Sequence, residues 1–243
     1  MFDNFLQVIN NCKGNPQRNS IIINTENNVK LISISGLDSS GKSTQIENIV
    51  DFYVNTGKKV KIIWSRGGYT PIFHGFKSII RKIIPNSLPV PGESKHRDKT
   101  FNRKWVRVLW LNIALMDLIV FYSLYFRWLK ILGYIVIADR YIWDTFIDFK
   151  LKFQKENFEK RILWKILVYL SPRPDSSFLL TIPVDESLRR SNLKNEPFSE
   201  NLNQRKKRIS LYQDLIKKDK WGYIIDGMRP IDEVWSNIRN KLE

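Results

Sequence analysis

The stretch Gly36-Leu37-Asp38-Ser39-Ser40-Gly41-Lys42-Ser43-Thr44 fits the pattern G-x-x-x-x-G-K-[ST], and the rest of the chain is read outward from it. Glycines let such a loop turn tightly and aim its N–H groups inward at phosphate oxygens. Lys42 is spaced to reach β- and γ-phosphates, and the Ser43 hydroxyl to sit on Mg²⁺. A following helix would point its positive dipole end at the same anion. Gly36, Ser39, Ser40, Gly41, Lys42, Ser43 and Thr44 are therefore the expected nucleotide-phosphate contacts.

The surroundings suit the loop. Residues 29–35 before it are apolar and β-branched, as a strand is. After it Ile46, Ile49, Val50 and Tyr53 recur at helical spacing until Asn55 and Gly57 end the pattern. Further strands are expected at 59–64, 134–138, 177–182 and 223–225, with helical stretches between. That alternation implies an α/β fold: a five-stranded parallel sheet with helices on both faces, and ligands at the carboxyl ends of the strands. Residues 1–28 read as an N-terminal extension and 29–243 as the main domain. Within it 71–104, rich in Pro, read as an insertion or flap.

Bulk properties narrow the class. An apolar fraction of 43% can bury a sizeable core, and the formal charge of +16 suggests anionic partners. The single cysteine, Cys12, forms no internal disulfide, and with two histidines no zinc-ligand spacing exists. Both facts, with an N-terminus unlike a signal peptide, point to the cytoplasm. Nine Lys/Arg between residues 77 and 107 face only Glu93 and Asp98, and Arg205-Lys206-Lys207-Arg208 forms a second cluster. Both read first as solvated or phosphate-facing surfaces, and second as a nucleic-acid footprint. Residues 108–126 are apolar enough to span a bilayer, but Asp117 interrupts them and a strand follows soon after. A helix buried against the sheet is the preferred reading, and a membrane surface the weaker one.

Three other segments carry candidate chemistry. The third strand runs into Asp139-Arg140-Tyr141, which places an acid for Mg²⁺ and a planar fork for phosphate beside the loop. The second runs into Ser65-Arg66-Gly67-Gly68, a turn able to close on a ligand. After the fourth, residues 185–205 begin with Asp185 and Glu186 and hold Arg189, Arg190 and Lys194. A basic lid there could neutralise a transferring phosphoryl group and exclude water.

Taken together, the loop with its closing Thr44-Gln45, the Asp139-Arg140-Tyr141 run, Gly67-Gly68, the basic lid and the ending Trp221-Gly222-Tyr223-Ile224-Ile225-Asp226-Gly227 resemble the thymidylate kinase family of P-loop nucleoside monophosphate kinases. That resemblance implies a P-loop NTPase three-layer sandwich and ATP- and Mg²⁺-dependent phosphorylation of a nucleoside monophosphate, with dTMP the first candidate. It implies that Lys42 holds ATP phosphates, that Ser43 and Asp139 serve Mg²⁺, and that Arg140, with Arg66 and Tyr141, faces the acceptor. Asp38 would contact the acceptor sugar or a lid arginine, and Arg190 or Lys194 would supply the lid cation. The chain departs from the family where thymine is read. Leu118 stands in place of the base-reading arginine, Asp144-Thr145-Phe146-Ile147-Asp148-Phe149 replaces the nucleotide-facing run, and Trp64 falls on a phosphate-binding arginine. A small-molecule phosphate acceptor is the expected partner, with homodimerisation left open. A kinase for a sugar or alcohol metabolite is the nearest alternative, and a nucleotide-gated nucleic-acid-binding protein the more distant one.

Overall fold

The computed structural model describes residues 30–65, 104–154, 156–194 and 200–243. The expectations for residues 1–28, for Arg66-Gly67-Gly68 and for most of the 71–104 insertion lie outside these. Five strands form one sheet: β1 (Leu31–Gly36), β2 (Lys59–Trp64), β3 (Tyr134–Asp139), β4 (Ser176–Thr181) and β5 (Tyr223–Asp226). All pairings are parallel, in the order β2-β3-β1-β4-β5. The expected strands are all present, each within two residues of its expected ends. Because β1 is central and flanked by β3 and β4, the three carboxyl ends that lead into the loop, Asp139 and the segment expected as a lid lie side by side.

Alternation along β1 sorts the core. Ile32 and Ile34 face one side with Ile135, Ile137, Phe178 and Leu180, under α1 (Lys42–Asn55), whose Ile46, Ile49 and Tyr53 meet them. The helix ends as its sequence dictates, with Gly57 at a φ of 74° closing the turn. The other side carries Leu31, Val136 and Ala138, covered by a long helix, by α4 (Ile142–Lys152) and by α5 (Ile162–Leu170).

The long helix is the segment whose apolar run raised the membrane question. It comprises α2 (Lys104–Val120), a π-turn (Phe121–Tyr125) and α3 (Phe126–Ile131), and it is long and apolar enough to cross a membrane. One face buries Leu111, Leu115, Leu118, Tyr122 and Phe126 on the sheet, as expected of a core helix. The opposite face exposes Trp105, Leu109, Met116, Trp128 and Ile131. The π-turn explains why both faces stay straight. One extra residue sets everything beyond it back by about 100°, returning Trp128 and Ile131 to the face of Trp105 and Met116.

Adjacent residues on this helix should therefore behave oppositely. Leu115→Ala, at a fully buried position, is expected to cost about 2–5 kcal/mol in urea unfolding. Met116→Ala, on the exposed face, is expected to change stability by less than about 0.5 kcal/mol.

Candidate functional site

β1 ends where no side chain fits. A Cβ on Gly36, at a φ of 148°, would lie 2.6 Å from the Leu180 carbonyl oxygen and 2.7 Å from Ser40 Oγ. The loop then passes Ser39 and Gly41 with left-handed backbones, φ 61° and 94°, and α1 begins at Lys42. Lys42 is buried, and its ammonium donates to the Gly36 and Leu37 carbonyls at 3.1 and 2.5 Å. Burial and, secondarily, the nearby Arg140 push its pKa down to about 8, against the pull of Asp139, Asp38 and Asp144. A phosphate at this point would favour the charged form.

β3 brings the next two residues. Asp139 carries a pKa raised above its ordinary value, chiefly by burial, and its Oδ1 is enclosed with no hydrogen-bond partner. An enclosed carboxylate oxygen of this kind beside a phosphate loop suits a divalent cation, with Ser43 at the start of α1 as the hydroxyl ligand. Among the described residues no cluster of three or more His, Cys, Asp or Glu could hold a metal by itself. A metal here would therefore need oxygens from nucleotide phosphates or water. Arg140 follows at a φ of 73°, a left-handed conformation that costs a non-glycine residue about 1–3 kcal/mol. That backbone turns its guanidinium under the loop, where Nη2 pairs with Asp38. Burial alone would lower its pKa, but Tyr212, Asp38 and Asp144 outweigh it and raise it. Its Nη1 is buried without a hydrogen-bond partner, 3.9 Å from Asp144.

Asp38, Ser39, Gly41, Lys42, Ser43, Thr44, Asp139, Arg140 and Lys194 border one cavity of about 150 Å³, with Trp64. Most of the expected site residues thus converge; Arg66 lies outside the described residues. Tyr141 sits elsewhere. Its ring stacks on Phe126 and its hydroxyl donates to the Pro172 carbonyl at 2.9 Å.

With this geometry in place, comparisons with known proteins become informative. The family model described as thymidylate kinase matches residues 126–238. A thymidylate kinase of Thermosipho melanesiensis is 27% identical over 87% of this chain and 96% of its own length. One of a Sulfurihydrogenibium species is 28% identical over the same shares. One of Plasmodium falciparum is 25% identical over 86% of this chain and 87% of its own. The chain is thymidylate kinase-like. The likeness makes it a phosphotransferase, and the five-stranded parallel order is consistent with that fold.

In this thymidylate kinase-like chain the segment expected to act as a lid begins with a helix held by residues whose roles the sequence did not announce. In α6 (Val184–Leu193) Arg189 is exposed and forks onto Glu186, while Arg190 donates to Glu186 at 2.6 Å and to the Gly227 carbonyl at 3.2 Å. Of the three cations expected of a lid, only Lys194 borders the cavity beside the loop. The inner side of α6 is held from α7 (Leu202–Ile216) by Arg205, which donates to Ser187 Oγ, to Ser191 Oγ at 2.9 Å and to the Glu200 carbonyl at 2.9 Å. Ser187 in turn donates to the Asp38 carbonyl at 2.8 Å, so α6 and the loop after β1 are joined. Arg208 grips both Glu200 oxygens, at 2.9 and 2.5 Å, and Asp148 at 2.7 Å. Arg205 and Arg208 are buried, which corrects the reading of 205–208 as a solvated or phosphate-facing cluster. Helical spacing turns these two inward, while Lys206 and Lys207 between them stay exposed.

A second unannounced group is Asp144. Its carboxylate accepts from Ser35 Oγ at 2.5 Å, from the Tyr141 N–H at 3.1 Å and from the Tyr212 hydroxyl at 2.6 Å. The 144–149 departure flagged Asp144 as unusual, but nothing local in the sequence connects it with Tyr212.

Because Arg208 neutralises two carboxylates out of water, Arg208→Met should strand both. A loss of about 3–5 kcal/mol in urea unfolding is expected. Adding Glu200→Gln and Asp148→Asn should restore part of it.

Proposed function

We propose that this phosphotransferase is a nucleoside monophosphate kinase that moves the γ-phosphoryl group of ATP, with Mg²⁺, onto the acceptor's phosphate, dTMP being the first acceptor to test. The observation that carries this reading is the convergence of Lys42, Asp139 and the buried Arg140 on one cavity, with Lys194 at its edge. In this reading the loop N–H groups and Lys42 hold the donor phosphates and orient them for in-line transfer. Mg²⁺, held by Ser43 and Asp139, would neutralise phosphate charge. Arg140, already fixed by Asp38, offers its unpartnered Nη1 to the acceptor phosphate. Lys194 places a cation where charge spreads over the transferring oxygens.

A second acceptor class has its own support. Leu118, at the base reader's place, is fully buried, and Phe149 packs in the same cluster. A site without the donor that reads a base loses discrimination for that base. A sugar or alcohol acceptor would then replace the nucleotide.

ATP consumption with Mg²⁺ across nucleoside monophosphates, sugars and alcohols separates the two. Acceptor-dependent turnover with dTMP is the expected result, and turnover with a sugar or alcohol alone would establish the second reading. Lys42→Met should lower kcat by at least about a hundredfold while far-UV circular dichroism is unchanged. Near-normal turnover of that variant would refute the phosphate-loop mechanism.

The lid makes a sharper prediction. Lys194→Ala should reduce kcat by about tenfold or more with little change in the KM for ATP. Arg190→Ala, which removes contacts to Glu186 and Gly227, should reduce kcat less. The reverse order would place Arg190 in the transfer step instead.

A further inference from the structure

In a parallel sheet covered on both faces, inward positions call for branched apolar side chains. On the face under α4 and α5 the middle of this sheet departs from that rule. Ser33 and Ser35 of β1 lie there, and Ser33 stands beside its register partner Ser177 of β4. The apolar cluster under β3 and the one around Tyr212 and Trp221 lie on either side. Between them is a cavity of about 870 Å³ floored by the three serines. No residue bordering the phosphate cavity also borders this one. Part of its lining, Pro172, Arg173, Pro174, Lys220 and Trp221, immediately precedes β4 and β5. That is the amino end of the sheet, whereas the phosphate loop leaves the carboxyl end of β1.

The lining has a consistent chemistry. Trp143, Trp164 and Trp221 supply aromatic surface. Of the floor hydroxyls, Ser35 donates to Asp144 and Ser177 accepts from the Gly222 N–H at 2.8 Å. Ser33, only 3% exposed, borders the cavity beside them. Three cations, Lys165, Arg173 and Lys220, face two carboxylates, Glu159 and Asp219. Glu159 is already neutralised by Lys150 at 2.5 Å, and Lys220 rests 4.9 Å from the Trp143 ring centroid. Lys165 and Arg173 are exposed and have no carboxylate partner among the described residues.

We propose that this cavity is a second ligand site, separate from the phosphate pocket, for a flat aromatic anion. The ring lies against the tryptophans, a polar ring atom meets the Ser33 hydroxyl, and the anionic group meets Arg173 and Lys165. Its volume falls within the range of about 300–1,000 Å³ usual for small-molecule pockets. The assignment does not depend on which acceptor the phosphotransferase uses.

Anilinonaphthalene sulfonate, a fluorescent aromatic anion, tests it with the full chain under saturating Mg-ATP. One saturable site that persists with Mg-ATP is expected, with naphthalene sulfonate competing and cyclohexane sulfonate not. Ser33→Leu, which fills the floor, should weaken binding by about tenfold or more, a change of at least 1.4 kcal/mol. The paired Lys165→Glu and Arg173→Glu substitutions, both at exposed positions, should weaken it similarly while leaving Mg-ATP binding intact. Displacement by Mg-ATP, wild-type affinity in the charge-reversed variant, or equal competition by cyclohexane sulfonate would each overturn the proposal. The charge-reversed variant decides the matter even if Ser33→Leu does not fold.

Discussion

The buried carboxylate of Asp144 is the contact through which the elements of the site are fixed to one another. A carboxylate out of water must be fully hydrogen-bonded to persist, and the groups that satisfy this one come from four places. Ser35 lies on β1, the Tyr141 N–H at the start of α4 and the Tyr212 hydroxyl on α7, all as hydrogen bonds, while Arg140 after β3 adds its charge from 3.9 Å. Tyr212 also lies 3.3 Å from the Gly36 carbonyl, the last of β1. This one buried side chain thereby ties together the loop after β1, the arginine beneath it and α7. Arg140 can hold a left-handed backbone because both ends of its side chain's environment, Asp38 and Asp144, are anchored independently.

The same principle governs the distribution of positive charge. A chain with a formal charge of +16 invites the reading that basic clusters face outward toward anions. Three of its arginines do the reverse. Arg140, Arg205 and Arg208 are almost wholly enclosed, and the latter two act as multi-pronged donors within the fold. The guanidinium fork suits this use, because several fixed donors can satisfy serine hydroxyls, a carbonyl and two carboxylates at once. Such clusters are not the cheapest way to fill an interior, since well-packed apolar groups often do as well or better. Their effect here is geometric: Arg205 and Ser187 carry the position of α6 to the Asp38 carbonyl.

How much of this the sequence disclosed follows from range. The strands, α1 and the phosphate loop were legible because their signals are local: alternation, helical spacing, and glycines that the backbone demands at fixed offsets. Gly36 is the clearest case, since the constraint on its Cβ comes from a neighbouring strand yet leaves a glycine in the motif. Arg205 and Arg208 were misjudged because charge runs look alike whether solvated or buried, and only the position of α7 distinguishes them. Asp144 and Tyr212 are 68 residues apart, and no periodicity connects them. The left-handed Arg140 left no signal either, since arginine does not favour that region.

Donor and acceptor chemistry differ in what they require of side chains, and this bears on substrate. Donor phosphates are met largely by backbone N–H groups and one lysine, so the loop tolerates change around it. An acceptor base is read by side-chain donors, and here the corresponding region is closed by contacts of its own. Leu118 and Phe149 pack in the apolar cluster with Tyr122. The Tyr122 hydroxyl is shared with Ser65 Oγ at 2.8 Å and Thr145 Oγ1 at 3.1 Å, and Ser65 donates to the Arg140 carbonyl at 2.9 Å. Burial raises the Tyr122 pKa, so the phenol stays neutral. These hydroxyls already satisfy one another, and a ligand using them would break as many hydrogen bonds as it made. On the proposed reading the acceptor's phosphate would meet Arg140, whose buried Nη1 has no hydrogen-bond partner among the described residues, and a guanidinium reads a phosphate without distinguishing the base attached to it.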